Sequence, residues 1–288
     1  MSSAESKVKR YLTPAKINLR LEVLGKRGDG YHEIKSILCP VGLYDEVAIS
    51  PTNNGIHLTS NTTRLPLDMN NLAFKAAALL MAKSNLSGGV NLHLEKHIPI
   101  AAGLGGGSSD AAAVLKGINE LYNLNYSQAD LIGLGATIGS DVPFFSLSSP
   151  ALATGKGEKL APLTVSPPFW TVLVSPPVAV STARAYSQCT IKPRGEAFNF
   201  ASTINLVTTG KNILRNDLQD VVTHLLPEIN ETRRILEGLG AWGSSMTGSG
   251  PTVFGIFFDE IKAKAAESQL LKDYHHRGWT IWVAKALT

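Results

Sequence analysis

Pro99-Ile-Ala-Ala-Gly103-Leu-Gly105-Gly-Gly107-Ser108-Ser109-Asp110-Ala-Ala-Ala113 packs four glycines into five residues and then changes abruptly to a helix-forming run. Before it, in Gly89-Val-Asn-Leu-His-Leu-Glu-Lys-His97, Val90, Leu92 and Leu94 alternate with polar residues, the period of a half-buried strand. After it, Ala112, Leu115, Ile118, Leu121 and Tyr122 recur at helical spacing, which predicts a helix over Ala111–Tyr122 capped by Ser108 and Ser109. The order strand, glycine loop, helix decides the reading of the rest of the chain.

Such a loop is built to cradle phosphate. Glycines let the backbone bring its N–H groups against a bulky anion, and the helix end adds partial positive charge. The hydroxyls of Ser108 and Ser109 suit a phosphate oxygen or a magnesium ion, and Asp110 suits either the helix dipole or a metal. Two familiar phosphate motifs are excluded. The pattern G-x-x-x-x-G-K-[ST] is absent, and Gly103-Leu-Gly105-Gly-Gly-Ser108 ends in serine where a dinucleotide fingerprint needs glycine or alanine.

Pro99–Ala113 resembles the second motif of the GHMP kinases, named for galactokinase, homoserine, mevalonate and phosphomevalonate kinases. Pro14-Ala-Lys16-Ile-Asn18-Leu near the start and Ser245-Met-Thr-Gly248-Ser-Gly250-Pro-Thr-Val-Phe near the end resemble the first and third motifs, in the family's order. The resemblance implies an α+β, two-domain fold with the active site in the interdomain cleft. The expected division is an ATP-binding amino-terminal domain over 1–158 and a second domain over 159–288. The implied chemistry is phosphoryl transfer from ATP, with Mg2+, to an alcohol. Pro99, Gly103, Leu104, Gly105, Gly106, Gly107, Ser108 and Ser109 would hold the nucleotide, and Ser108 would also meet the metal.

Working back from the loop, Ile17, Leu19, Leu21 and Val23 alternate with Lys16, Asn18, Arg20 and Glu22, which predicts a strand over Tyr11–Leu24 with a polar face. By pattern alone Lys16 is a solvated lysine on an edge strand; the resemblance makes it catalytic and Asn18 a substrate ligand. Gly28-Asp-Gly30-Tyr31-His32-Glu33 resembles one branch of the family, which phosphorylates a hydroxyl of a cytidine diphosphate-linked polyol in isoprenoid precursor synthesis. There Tyr31 would stack on the cytosine and His32 would hydrogen-bond it. A pyrimidine offers a π face to the one and a polar edge to the other.

Working forward, Asn70 is expected to cap a helix reaching about Ser84, and Ser127-Gln-Ala-Asp130 opens another with a capping box. Gly139-Ser-Asp141-Val-Pro143 then makes a rigid turn. Asp141 would serve its own backbone by turn chemistry, whereas the resemblance implies that it faces Lys16 as the base. Ser181 or Thr182 caps a short helix carrying Tyr186, either a packing residue or, by resemblance, a second ring for the cytosine. Strands are expected over Ile34–Val41, Glu46–Ser50 and Phe169–Ser175. Gly243–Gly250 reads as a loop rich in small residues, either a tight connection before the strand Thr252–Phe257 or, by the resemblance, a turn that places Gly248 beside substrate or phosphates. Asn216-Asp217-Leu218 matches a short pattern of the same branch without a role.

The 288 residues are 44% hydrophobic, enough for real cores, and the net charge of +4 is scattered without a basic run, which argues against a nucleic-acid partner. Cys39 and Cys189 are the only cysteines, in no metal-ligand spacing, and no apolar run reaches the length of a membrane span. Met1–Arg10 is polar, expected to fray, and resembles neither a secretory signal nor a transit peptide. A cytoplasmic protein without a membrane partner is expected.

Overall fold

The structure is a computed structural model and describes residues 8–147, 149–191, 198 and 200–288. The fraying expected over Met1–Arg10 lies outside the described residues as far as Lys7. Lys9 and Arg10 already belong to the first strand, β1 (Lys9–Lys26), held by ion pairs of Lys9 with Glu120 and of Arg10 with Glu46. The chain forms two compact units, and β1 and β2 (His32–Thr52) each begin in one and end in the other.

The first unit takes the chain up to Ala15, then Tyr44–Ile100 and Gly105–Leu147. After β2 come β3 (Gly55–Ser60), α1 (Leu72–Lys83), β4 (Gly89–Glu95), α2 (Gly106–Leu121) and α3 (Gln128–Ile138). Strand β4 runs antiparallel to the end of β2, from Glu46 opposite Glu95 to Thr52 opposite Gly89, and parallel to β3. Val47, Ile49, Leu92 and Leu94 from these strands pack on Ala73, Ala77 and Leu80 of α1 and Val114, Leu115 and Ile118 of α2. Gly117 allows the close approach of α2, because a Cβ there would stand 2.3 Å from Ile49 Cδ1 and 2.8 Å from the Tyr11 ring.

The second unit comprises Lys16–Leu43, Ala101–Leu104 and Ser148–Thr288. Its strands are β5 (Ala151–Gly155), β6 (Lys159–Pro162), β7 (Thr164–Ser166), β8 (Trp170–Ser175), β9 (Thr203–Asn205), β10 (Arg215–Asn216), β11 (Gly243–Met246), β12 (Val253–Phe257) and β13 (Thr280–Lys285). Its helices are α4 (Thr182–Ser187), α5 (Leu206–Thr209), α6 (Gln219–Leu225), α7 (Glu228–Gly238) and α8 (Glu260–Tyr274). A four-stranded antiparallel sheet in the order β11-β12-β8-β13 gives Val172, Val174, Met246 and Val253 to a core shared with Val222, Ile229, Leu236 and Leu270 of the helices. Strand β10 pairs parallel with β1, Leu21 opposite Asn216, and β5 pairs antiparallel with β2.

Several local expectations are corrected. Helix α2 starts at Gly106, so Ser108 and Ser109 lie in its first turn and the cap position falls to Gly105 in a left-handed conformation, φ 74°. Only glycine takes that conformation freely. Helix α1 is capped by Asn71, whose side chain accepts from the Ala73 N–H at 2.9 Å, and not by Asn70. The two strands expected around Ile34–Val41 and Glu46–Ser50 are one strand, β2. Gly243–Met246 is strand rather than loop, because its backbone pairs with Val253–Ile256 of β12.

Candidate active site

The polar face of β1 is not solvated. Lys16, Asn18, Arg20 and Glu22 are 4%, 4%, 5% and 3% exposed, which corrects the reading of an edge-strand lysine in water. Burying an ammonium this way is costly unless acceptors surround it. Lys16 Nζ donates to Asn18 Oδ1 at 2.7 Å, and the Thr247 hydroxyl donates to the same oxygen at 3.1 Å. In return the Asn18 N–H donates to Thr247 Oγ1 at 3.0 Å. Asn18 Nδ2 donates to Ser36 Oγ at 2.8 Å, and the Ser36 hydroxyl in turn donates to the Arg20 carbonyl at 2.7 Å. The Asn18 amide is therefore locked with its oxygen toward the cation. Further along, Arg20 pairs with Glu22 at 2.5 Å and donates to the Asn212 carbonyl at 2.6 Å; burial still holds its pKa below the usual arginine value against that pairing.

Segments of the other two motifs close on this lysine within the second unit. The Lys16 N–H donates to the Leu104 carbonyl at 2.9 Å, and Leu104 is fully buried. Gly103, at φ 80°, has no room for a side chain, since a Cβ would stand 2.3 Å from the Thr247 carbonyl. Gly248, at φ 56°, is as tight: a Cβ would meet the Gly103 carbonyl at 3.0 Å and Lys16 Nζ at 3.3 Å. Glycine here is a packing requirement as well as a conformational one.

In the first unit, Gly106, Gly107, Ser108 and Ser109 form the opening turn of α2, and the Ser108 and Ser109 N–H groups both return to the Gly105 carbonyl at 3.0 Å. No acidic side chain belongs to that turn itself, where the helix end carries partial positive charge. Gly107 is exposed and Ser108 half-buried. Ser109 is 2% exposed, and its hydroxyl has no hydrogen-bond partner among the described residues. A buried orphan hydroxyl at a helix N-terminus fits a phosphate oxygen or a cation that brings its own charge.

Behind this turn lies an ionic staple that inspection of the sequence does not reveal. Lys96 Nζ reaches Asp110 Oδ2 at 2.6 Å and also Asp45, while Thr13 Oγ1 donates to Asp110 Oδ1 at 2.9 Å. Asp45 accepts from the His97 and Ile98 N–H groups at 2.6 and 2.7 Å, immediately before half-buried Pro99. A Cβ on Gly106 would stand 3.1 Å from Asp45 Oδ2. The staple ties the strand entering the glycine loop to the helix leaving it. Burial, with Asp45 nearby, pushes the Asp110 carboxyl up to about 6 despite Lys96. For Lys96 burial acts downward, but the two carboxylates outweigh it and hold its pKa above the usual lysine value. Asp110 thus serves Lys96 and Thr13.

Asp141 lies in the first unit, half-buried, in the turn after α3, where the Val142 N–H closes on the Gly139 carbonyl at 3.2 Å and Pro143 begins a short 3-10 turn. Of the expected cytosine residues, His32 and Tyr186 come together, ring centroids 5.2 Å apart and planes tilted by 31°. Tyr31 is 51% exposed and lies under Lys156, whose Nζ is 4.5 Å from the ring centroid. Its N–H donates to Asp29 Oδ1 at 3.1 Å, and Arg27 pairs with both Asp29 and Glu33, so the turn is braced from within.

Thr247, Ser36, Asp45 and Lys96 are the residues that sequence reasoning missed. Thr247 stands inside the third motif, Ser245–Phe254. Asp45 and Lys96 are 51 residues apart along the chain, a distance at which no local spacing signals a contact.

The model of the GHMP kinases N terminal domain matches residues 71–149, and that of GHMP kinases C terminal matches residues 201–276. A 4-diphosphocytidyl-2-C-methyl-D-erythritol kinase of Syntrophotalea carbinolica is 42% identical over 261 residues, 90% of this chain and 93% of its own. One from Shouchella clausii is 44% identical over 258 residues, 86% of each. Among solved structures, a 4-(cytidine 5'-diphospho)-2C-methyl-D-erythritol kinase superposes with a TM-score of 0.80 at 35% identity, covering 96% of this chain and 99% of that one. Homoserine kinase from Cytophaga hutchinsonii shares the fold at a TM-score of 0.74 and 17% identity, covering 99% of this chain and 96% of its own.

Proposed function

Because this chain belongs to the GHMP kinases, and within them to the 4-diphosphocytidyl-2-C-methyl-D-erythritol kinases, we propose that it transfers the γ-phosphoryl group of ATP to the 2-hydroxyl of 4-diphosphocytidyl-2-C-methyl-D-erythritol, a step of isoprenoid precursor synthesis. The observation that carries the proposal is the buried Lys16 ammonium held by Asn18, with the Thr247–Gly248 turn and Gly103 packed against it. A desolvated, fixed cation between two glycine turns is what a transferring phosphoryl group needs.

Asp141 accepts the proton of the attacking hydroxyl, and Lys16 assists it. The proton moves late, as the oxygen–phosphorus bond forms, because the alcohol becomes acidic only once its oxygen is bonding to phosphorus. The first turn of α2 holds the nucleotide phosphates at its positive end. The hydroxyls of Ser108 and Ser109 would hold a magnesium ion, which neutralises phosphate oxygens when bound. Tyr31, His32 and Tyr186 bind the cytosine, and Asn18 and Gly248 border the substrate. The reaction takes place in the cytoplasm, in keeping with two cysteines, Cys39 and Cys189, in no metal-ligand spacing.

The test is ADP release by the purified protein with Mg-ATP, comparing the cytidine alcohol with homoserine and mevalonate. Release with the cytidine alcohol alone is expected, lost in Asp141→Ala with ATP binding retained. Release only with another alcohol overturns the substrate, and an active Asp141→Ala overturns the base.

A further inference from the structure

Asn216 lies outside the three motifs and is 7% exposed. Both donors of its carboxamide and its acceptor oxygen engage backbone. Nδ2 donates to the Met246 carbonyl and to the Gly248 carbonyl, each at 2.8 Å, and Oδ1 accepts from the Leu218 N–H at 3.0 Å. The residue is in turn fixed to the lysine strand: Asn216 stands opposite Leu21 in the β1–β10 ladder, and the Asp217 N–H donates to the Leu21 carbonyl at 2.9 Å. Asp217 Oδ2 accepts from the Val23 N–H at 2.9 Å, and Oδ1 from Arg215 Nε at 2.7 Å. One side chain therefore references the Gly248 turn to the strand that carries Lys16 and Asn18.

We propose that Asn216 is a positioning residue that fixes the Gly248–Ser249 peptide for phosphoryl transfer; the inference rests on the kinase reading above. In a trans peptide the carbonyl of one residue and the N–H of the next point in opposite directions. Holding the Gly248 carbonyl turns the Ser249 N–H the other way, while the close contact at Gly248 keeps that peptide near the Lys16 ammonium. The Ser249 hydroxyl is braced separately, at 2.8 Å from Thr182 Oγ1. An N–H of fixed direction beside a buried cation is a recognition element for phosphoryl oxygens. Only a carboxamide of this length supplies two donors and one acceptor here. Aspartate loses both donations, and glutamine moves them by a methylene.

The test pairs kinetics with amide hydrogen exchange in Asn216→Ala and Asn216→Ser, the serine keeping one donor if the alanine variant fails to fold. Expected is a fall in kcat of about ten- to a hundredfold with KM for ATP and for the alcohol within about twofold, the serine variant falling between alanine and wild type. Exchange of the Thr247 and Gly250 amides, bonded to the Thr252 and Thr247 carbonyls, is expected to quicken about tenfold while the β11–β12 ladder keeps its protection. Wild-type kcat in a folded variant, or a loss confined to KM, overturns the role. If the wild-type protein turns over no cytidine alcohol, the substrate reading fails, and the exchange result alone decides Asn216: unchanged turn amides overturn it.

Discussion

The Lys16 ammonium and the Asn18 side-chain oxygen stand 2.7 Å apart on the same face of one strand, two residues removed, both buried. The oxygen also accepts from the Thr247 hydroxyl, so Asn18 helps fix where the cation sits. Asn18→Leu keeps the volume and removes both acceptor and donor. It is expected to lower kcat by about one to two orders of magnitude while leaving KM for ATP nearly unchanged. Steady-state kinetics check this; a wild-type kcat would remove Asn18 from the positioning of Lys16.

Ser109 carries a buried hydroxyl without a partner among the described residues. Leaving such a group unpaired costs about 1–3 kcal/mol. Ser109→Ala is therefore expected to raise or leave unchanged the Tm of the free protein, yet to diminish the Tm increase produced by Mg-ATP. Thermal melts with and without Mg-ATP separate the two effects. A lowered Tm in the free variant with a full Mg-ATP response would mark the hydroxyl as purely structural.

Asp110 makes stability depend on pH in a definite direction. Its folded-state pKa is raised from 3.8 to about 6, chiefly by burial, so the folded protein binds this proton more tightly than the unfolded chain. The associated stability is fully present below the unfolded value and is lost as pH rises through about 6. Asp110→Asn cannot ionise. Its urea midpoint, relative to wild type, is expected to rise between about pH 4 and about pH 7, and a constant difference would contradict the raised pKa.

The ring pair of His32 and Tyr186 and the exposed Tyr31 belong to cytosine recognition in the proposed function. Tyr31→Ala and Tyr186→Ala are each expected to raise KM for the cytidine alcohol about tenfold, from stacking worth about 0.5–1.5 kcal/mol beyond area burial, with KM for ATP unchanged. Initial rates at varied alcohol check this. An unchanged KM in either variant would take that ring out of the cytosine site.

What could be read in advance was local. Alternation in Gly89–Glu95, the glycine run and the helical spacing after it produce β4, the turn and α2 from neighbours within a few residues. The true start of α2 was hidden because Gly105 takes a left-handed cap that its identity permits but does not announce. The polar face of β1 looked solvated, since alternation reports two faces and not what covers them. Its cover comes partly from Thr247, 229 residues away from Asn18. Asp45, Lys96 and Asp110 likewise find one another through folding alone, and Asn216 owes its role to carbonyls 30 and 32 residues further on.

In the proposed reaction the phosphoryl group goes to the 2-hydroxyl, the tertiary alcohol that bears the methyl branch. Phosphorus NMR of the reaction with Mg-ATP and 4-diphosphocytidyl-2-C-methyl-D-erythritol tests it most directly. A tertiary ester carbon carries no hydrogen, so a new phosphomonoester resonance unsplit by any proton across the ester bond is expected, with the diphosphate of the substrate intact. A phosphomonoester split by such a proton would place the group on a primary or secondary hydroxyl, and the absence of any new ester while ATP is consumed would deny the transfer altogether.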